Sequence, residues 1–182
     1  MATSGPLGCG TGADDATVGT VAWSNPGNIT ADDISQASAM LNNETTHYLK
    51  ATNFGHAVPA GAIIQGVKYT VLHVGSGVTD SAVRFVNAGT IGSTNKGTGT
   101  DWGLSETTAE YGGSADTWDE TLTATAINDS TTGVVISATH AGLGSASVDY
   151  VTSTVTYITG GLMFYQKRAL RGGMLQVTDG VN

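Results

Sequence analysis

The chain has 182 residues, a formal net charge of −8 and only 12% charged side chains, about half the usual share. Its 26 glycines and its many Thr and Val residues exclude a largely helical protein, because glycine and β-branched side chains are poor helix formers. An acidic surface does not suit nucleic acid, which is bound mainly through Lys and Arg. No apolar run approaches the roughly 20 residues that span a bilayer, so neither nucleic acid nor a membrane is an expected partner.

Residues 1–19 are rich in Gly, Thr, Ala and Asp and show no apolar periodicity, which predicts an extended N-terminal arm. The lone Cys9 lies in this arm, so no intrachain disulfide is expected, and it is interpreted as a small framework residue. The arm has no basic region followed by an apolar core. A signal peptide is therefore not expected, and the protein is expected to be assembled in a cytoplasm.

Short strands separated by turn residues are predicted along the rest of the chain. The clearest lies within 62–74, where Val67, Tyr69 and Val71 alternate with polar residues, as they do in a strand with one buried face. Strands are predicted at 20–23, 35–41, 46–54, 62–74, 81–89, 133–140 and 147–158, with loops at 24–28 and 75–80, a strand fragment and long loop over 90–115, and one helical turn at 123–129.

Seven or eight short strands with almost no helix predict an all-β fold, an antiparallel β-sandwich over residues 20–159. The strands are expected to be antiparallel because no crossover helices are available. After the "TGG" of 159–161 the alternation stops, and we place a domain boundary near Gly160.

Residues 160–182 are predicted to be a C-terminal assembly tail that is apolar and basic at once. Residues 1–166 hold four basic and fourteen acidic side chains, whereas the last sixteen hold three basic and one acidic. Aromatic, Met and Arg side chains are enriched at protein interfaces. The candidate assembly contacts are Met163, Phe164, Tyr165, Lys167, Arg168 and Arg171.

Several phrases of the sequence together resemble one β-sandwich module. They are "TVAWSNPGNITADDISQASAML", "YLKATNFGHAVPAGAIIQGVKYTV", "GSTNKGT", "YGGSADTWDETLTATAINDSTTGVVISA" and "SVDYVTSTVTYI". In this order and spacing, over roughly residues 20–158, they are similar to a module of tailed-bacteriophage structural proteins. The chain departs from that pattern at His56, where a large apolar residue is preferred, at Asp119, where Gly is preferred, and at "DSTTGVVI".

This resemblance implies a jelly-roll-like sandwich used in virions for capsid decoration, fibres or tail parts. It implies no catalytic activity, since such a module carries function through what is attached to it. His56 is left without an explanation by the pattern. Phe54 is expected to anchor the core, and Pro59 and Gly61 to turn the chain into the strand centred on Tyr69.

No constellation typical of a metal, cofactor or catalytic site stands out. The four histidines are far apart, and acidic residues adjacent in sequence point to opposite faces of a strand, so neither set predicts a shared ligand. Trp23 and Trp118 are interpreted as core residues. Trp102, within "GTGTDWGLS", is the candidate for an exposed role as a glycan contact.

The leading hypothesis is a non-enzymatic virion structural protein, a capsid decoration or cement protein attached through its terminal arms. Its expected partners are other virion proteins (the major capsid protein or neck and tail proteins) and further copies of itself, with a trimer favoured. The alternative is a tail, neck or fibre-borne recognition module that binds host surface glycan through Trp102. A bacterial extracellular filament subunit would need a secretion signal that is not seen.

Overall fold

Strands account for most of residues 1–159, which are the residues that the computed structural model describes. The long strands have the Val- and Thr-rich alternating pattern that suits a half-buried pleated surface. The strands are β1 (Ala2–Gly8), β2 (Thr11–Asp15), β3 (Ala37–Asn42), β4 (Tyr48–Thr52), β5 (Ile63–Asn87), β6 (Thr90–Ile91), β7 (Asp101–Gly112), β8 (Gly133–Thr139) and β9 (Leu143–Ile158), with a 3₁₀ turn at Pro26–Ile29 and a short helix α1 at Ala124–Ile127.

All nine strands belong to one antiparallel hydrogen-bonded sheet. Its main path runs β1-β9-β5-β8-β4-β2, while β3 pairs with β9, and β6 and β7 pair with β5. The predicted all-β, antiparallel class is therefore confirmed. The strands form one curled sheet rather than two separately bonded layers, so the jelly-roll-like sandwich itself stays a prediction.

The curl is greatest in β5, which pairs with β9 and β7 along its first part and with β8 along its last part. The rings of Tyr69 and Phe85, sixteen residues apart on this strand, have centroids separated by 6.2 Å. In a straight strand they would be about 50 Å apart at roughly 3.3 Å per residue. β5 therefore bends between them, near Gly75 and Gly77, and its two halves face each other across the core. Gly77 has φ +72°, a conformation that side-chain-bearing residues rarely adopt.

An aromatic cluster fills the space inside the curl. Tyr69 contacts Phe54 and Trp118 with ring centroids 5.5 and 5.7 Å apart, and Phe85 also packs on Trp118. The buried Tyr69 hydroxyl donates to the Gly133 carbonyl at 2.9 Å, which joins the first half of β5 to β8. Trp23 and Trp118 are both buried, as predicted, and Phe54 anchors the core.

The predicted N-terminal arm, residues 1–19, lies within the sheet rather than outside it. β1 pairs with β9, and β2 pairs with β4. Between them Cys9 is buried, and its thiol donates to the Ile29 carbonyl at 3.2 Å. The prediction of a separate arm with a boundary at residue 20 is therefore wrong. The short side chains of residues 1–19 show no apolar alternation, so the sequence gives no sign of strands there. These residues are strands because β9 and β4 provide the hydrogen-bonding partners.

Three further segments differ from expectation. Residues 75–80 continue β5 instead of forming a loop, and residues 101–112, within the predicted long loop, form the twelve-residue β7. The expected strand at 20–23 is reduced to single bridges such as the one between Val21 and Thr46. In each case hydrogen bonding to a distant strand decides the structure, and a local sequence window does not contain that partner.

Other local predictions are confirmed. The helical turn lies at Ala124–Ile127, and the Ala62 amide bonds to the Pro59 carbonyl in the turn that leads into β5. Val67, Tyr69 and Val71 are buried, as their alternation predicts. In the described part of the chain, no helix is both long enough and apolar enough to cross a membrane.

The close approach of β8 to β4 gives a test of the sheet. A Cβ at Gly133 would overlap the Ala51 carbonyl oxygen and the backbone of Thr52. We expect Gly133→Ala to lower the free energy of unfolding by about 2–4 kcal/mol, measured by urea denaturation. The matched control is Gly113→Ala, where no atom lies near the added methyl group, and a change within about 0.5 kcal/mol is expected. Equal losses in both variants would contradict this register.

Candidate functional site

A cluster of titratable and aromatic side chains lies where β5 bends. His73 precedes the bend and Asp80 follows it, while Trp102 and Tyr111 come from the paired strand β7. Gly77, at the bend, donates its amide to the Asp101 carboxylate at 3.0 Å. The bend thus brings the four side chains together, and we name them the bend cluster.

Asp80 is the centre of the bend cluster and is almost fully buried. Its carboxylate accepts hydrogen bonds from Trp102 Nε1 at 2.8 Å, from the Tyr111 hydroxyl at 2.9 and 3.0 Å, and from the Thr98 amide at 3.1 Å. The Thr98 hydroxyl adds a longer bond of 3.3 Å. Burial, and then the negative charge of Asp80, raise the pKa of Tyr111. Asp80 is so fully engaged that it is poorly placed to act as a general base or as a metal ligand.

His73 stacks on Trp102 with ring centroids 4.4 Å apart, and neither of its buried ring nitrogens has a hydrogen-bond partner within residues 1–159. Burial lowers the pKa of His73, and the nearby Asp80 opposes part of that shift. The adjoining cavity is about 110 Å³, room for three or four water molecules at roughly 30 Å³ each. Ligand pockets are usually about 300 Å³ or larger. The small cavity therefore suits a structural joint between β5 and β7 better than a substrate site.

The prediction that Trp102 is an exposed glycan contact is wrong. Its side chain is 2% exposed, with one face against His73 and its Nε1 bound to Asp80. The polar segment around Trp102 resembles a loop, but pairing with β5 makes it a strand and turns the indole inward. A buried indole has no free face on which a sugar ring can stack.

His56, which the sequence left unexplained, joins three segments of the chain. Its Nδ1 lies 3.0 Å from Ser4 Oγ on β1, and its Nε2 lies 3.0 Å from Ser153 Oγ on β9. A neutral imidazole donates through one nitrogen and accepts through the other, so the two serines satisfy both. Burial lowers the pKa of His56 to about 4. His56 therefore holds β1 on the sheet, in place of the apolar residue that the module pattern prefers.

Asp149 on β9 is a buried carboxylate of another kind. It lies at an irregularity in the β5–β9 pairing, and within residues 1–159 neither of its oxygens has a hydrogen-bond partner. Burial raises the pKa of Asp149, and the negative charges of Glu106, Asp32 and Asp33 raise it further. The backbone amide of Asp33 lowers this pKa in part. Among the described residues, no group of three or more His, Cys, Asp or Glu side chains is placed to hold a metal ion.

A groove lies on the outer face of the sheet, and we name it the outer groove. In the cross-strand register, Lys50 on β4 and Arg84 on β5 both pair with Val135 on β8, so the two cationic side chains share one face. Tyr48, Val86 and Val135 form a small buried cluster beneath, to which Val18 and Ile91 are added at the rim. The groove has a volume of about 590 Å³ and also includes Asp15.

Three exposed apolar side chains form a row across the end of the sheet from which the C-terminal segment leaves, and we name it the exit row. Ile63 pairs with Ile158, and Ala2 pairs with Tyr157, so continuing that register by one residue sets Met1 beside Ile158. Met1, Ile63 and Ile158 are 88%, 59% and 39% exposed. The chain runs from Ile158 directly into residues 160–182. Exposed apolar rows of this kind mark candidate interaction surfaces.

The predicted assembly contacts fall outside the described residues. They are Met163, Phe164, Tyr165, Lys167, Arg168 and Arg171. The domain boundary near Gly160 also coincides with the end of the described part and stays a prediction. Asp80, His73 and Asp149 do not stand out in the sequence, where their only local signal is a charged or imidazole side chain among strand-forming residues.

The comparisons with known proteins add no relative. No family model, no curated protein and no solved structure matches the chain.

Replacing the central carboxylate tests the bend cluster. Asp80→Asn leaves one acceptor oxygen and turns amide hydrogens toward donors, so we expect the free energy of unfolding to fall by about 2–4 kcal/mol. Asp119→Asn is the matched control, since Asp119 is exposed and holds only the Thr94 hydroxyl at 2.9 Å. A change within about 0.5 kcal/mol is expected there. An Asp80 variant as stable as this control would refute the assigned role.

The His56 contacts predict acid sensitivity. The folded pKa of about 4 lies below the ordinary 6.5, so the unfolded chain takes up a proton at a higher pH than the folded chain. Stability is therefore full above about pH 6.5 and declines as the pH falls to about 4, by about 1–3 kcal/mol. Urea denaturation of the wild type and His56→Gln at pH 7, 5.5 and 4 measures this loss. Parallel pH profiles would show that His56 is not its source.

Proposed function

We propose that the chain is a non-enzymatic structural protein of a tailed-phage virion, a decoration or cement protein that attaches to the particle through the end of the sheet bearing the exit row. The observation that carries the proposal is the juxtaposition of exposed Met1, Ile63 and Ile158 with the start of a segment whose sequence is both apolar and basic. Its partners would be other virion proteins, the major capsid protein or neck and tail proteins, and further copies of the chain, with a trimer favoured.

The roles of the buried residues support a carrier fold. The phrases that resemble the phage module supply framework: Phe54 and Trp118 fill the core, and the strand phrases form β5, β8 and β9. The bend cluster and His56 engage their polar groups in holding strands together. The surfaces are then the places to seek function.

The proposed attachment differs in one respect from the attachment through two terminal arms that the sequence predicts. β1 and β2 are paired in the sheet, so the first residues would reach the particle through Met1 and the edge of β1 that is unpaired within residues 1–159, and not as a free arm. The sequence continues from Ile158 of the exit row into residues 160–182, and we propose that both take part in attachment. Together the apolar row and the basic, aromatic sequence have the composition of a protein interface. An alternative glycan function through Trp102 is not carried further, because that indole is buried.

Particle binding tests the proposal. Removing residues 162–182, or replacing both apolar strand residues in Ile63→Ser/Ile158→Ser, is expected to weaken binding to phage particles lacking this protein by at least about tenfold. Co-sedimentation with purified particles measures the affinity. The control is Leu104→Ser, which removes an even more exposed apolar side chain on β7, away from the exit row, and should bind like the wild type. Unchanged affinity in both the truncated and the doubly substituted protein would overturn the proposal.

A further inference from the structure

The outer groove is the most cationic surface in the described part of an otherwise acidic chain. Residues 1–159 contain four basic side chains, of which Lys68 and Lys96 form ion pairs with Glu110 and Asp116 at 2.6 and 2.8 Å. The other two, Lys50 and Arg84, line the outer groove. Among Lys and Arg side chains of residues 1–159, the two that form no close ion pair therefore lie over the same apolar surface.

Both groove cations retain capacity for a ligand. Lys50 Nζ is 3.7 Å from Asp15 Oδ2, a long separation for an ion pair, and the other Asp15 oxygen accepts from Thr17. Arg84 holds the carbonyls of Gly92 and Ser93 through Nη1, which leaves its other terminal nitrogen, Nη2, without a hydrogen bond to residues 1–159. Counting Asp15, the groove keeps a net charge of +1. A ligand that carries a carboxylate next to an apolar group would match both the positive charge and the apolar surface of the outer groove.

The loop at residues 31–35 carries that combination. Asp32 and Asp33 stand beside Ile34, whose side chain is 100% exposed. The other exposed large apolar residues within 1–159 lie in strands or at the chain start, so this is the one described loop that presents such a side chain. The Asp33 carboxylate bonds only to the nearby Ser35 amide, at 2.6 Å.

We propose that the outer groove binds loop 31–35 of a second copy of this chain. Asp32 and Asp33 would face Lys50 and Arg84, and Ile34 would pack against the apolar rim of Val18 and Ile91. Opposite charges on the two surfaces provide orientation, and the apolar contact supplies buried area.

The loop comes from a neighbouring copy because its own flanks are held elsewhere. Thr30 pairs with Tyr150 on β9, and Gln36 donates to Glu106 on β7 at 2.9 Å. The groove lies over β4, β8 and the last part of β5. Two different surfaces then meet in each contact, which is a head-to-tail arrangement that closes into a ring or extends as a chain of copies. This contact would supply the association between copies that the proposed function expects, and its test uses the isolated protein, so its failure is distinguishable from a failure of particle binding.

Charge reversal with mixing tests this contact in the full chain. Sedimentation velocity of the wild type is expected to show association that weakens as salt rises. Lys50→Glu alone, or Asp32→Lys/Asp33→Lys alone, should weaken self-association at least about tenfold. Mixing the two variants should restore it, because the reversed groove of one fits the reversed loop of the other. Lys68→Glu is the control, with unchanged association expected, since it reverses a cation outside the groove.

A further substitution distinguishes loss of the contact from misfolding of the charge-reversed variants. Ile34→Ser changes an exposed loop side chain, so it should keep the wild-type melting temperature while also weakening association. A wild type that stays monomeric to about 1 mM, a mixture of reversed variants that does not associate, or association insensitive to Ile34→Ser would each overturn the proposal.

Discussion

The bend of β5 is the constraint on which the rest of the structure depends. One strand cannot place Tyr69 within ring contact of Phe85 unless it turns back, and the turn requires a backbone that Gly77 adopts readily. Two hydrogen bonds then hold the turn against β7. The buried Asp80 carboxylate accepts from Trp102 Nε1 on β7, and the exposed Asp101 carboxylate on β7 accepts from the Gly77 amide. A curled sheet with an interior follows from this single change of direction, because a straight β5 would leave no enclosed space for the aromatic cluster.

The buried polar groups fall into two physical classes. Asp80 and His56 have their hydrogen-bonding atoms paired, so their burial stabilises particular strand contacts. Asp149 and the ring nitrogens of His73 lack such partners within residues 1–159, so their burial lowers the stability of the fold. The first class explains why the strands are held where they are.

Much of the fold could be predicted from local sequence because alternation and turn residues act locally. The alternation of Val67, Tyr69 and Val71 predicted a buried face, and Pro59 with Gly61 predicted the turn before that strand. The status of residues 1–19 and of Trp102 could not be found in this way. Each depends on a partner strand far away in sequence, and short or polar side chains give no sign of that partner. The outer groove was missed for the same reason, since Lys50 and Arg84 come together only through the register of β8.

The pairing of β1 with β9 also has a consequence for how the chain folds. Ala2 lies opposite Tyr157, so β1 pairs with a strand, β9, that lies about 150 residues later in the sequence. Contacts of such separation slow folding, because a long loop must close before they form. During synthesis β1 therefore spends the whole elongation of the domain without its partner. The sheet is completed only when β9 emerges, and the exit row, which needs Met1 beside Ile158, forms at that same moment, so this surface is absent from any chain in which β9 has not yet been made.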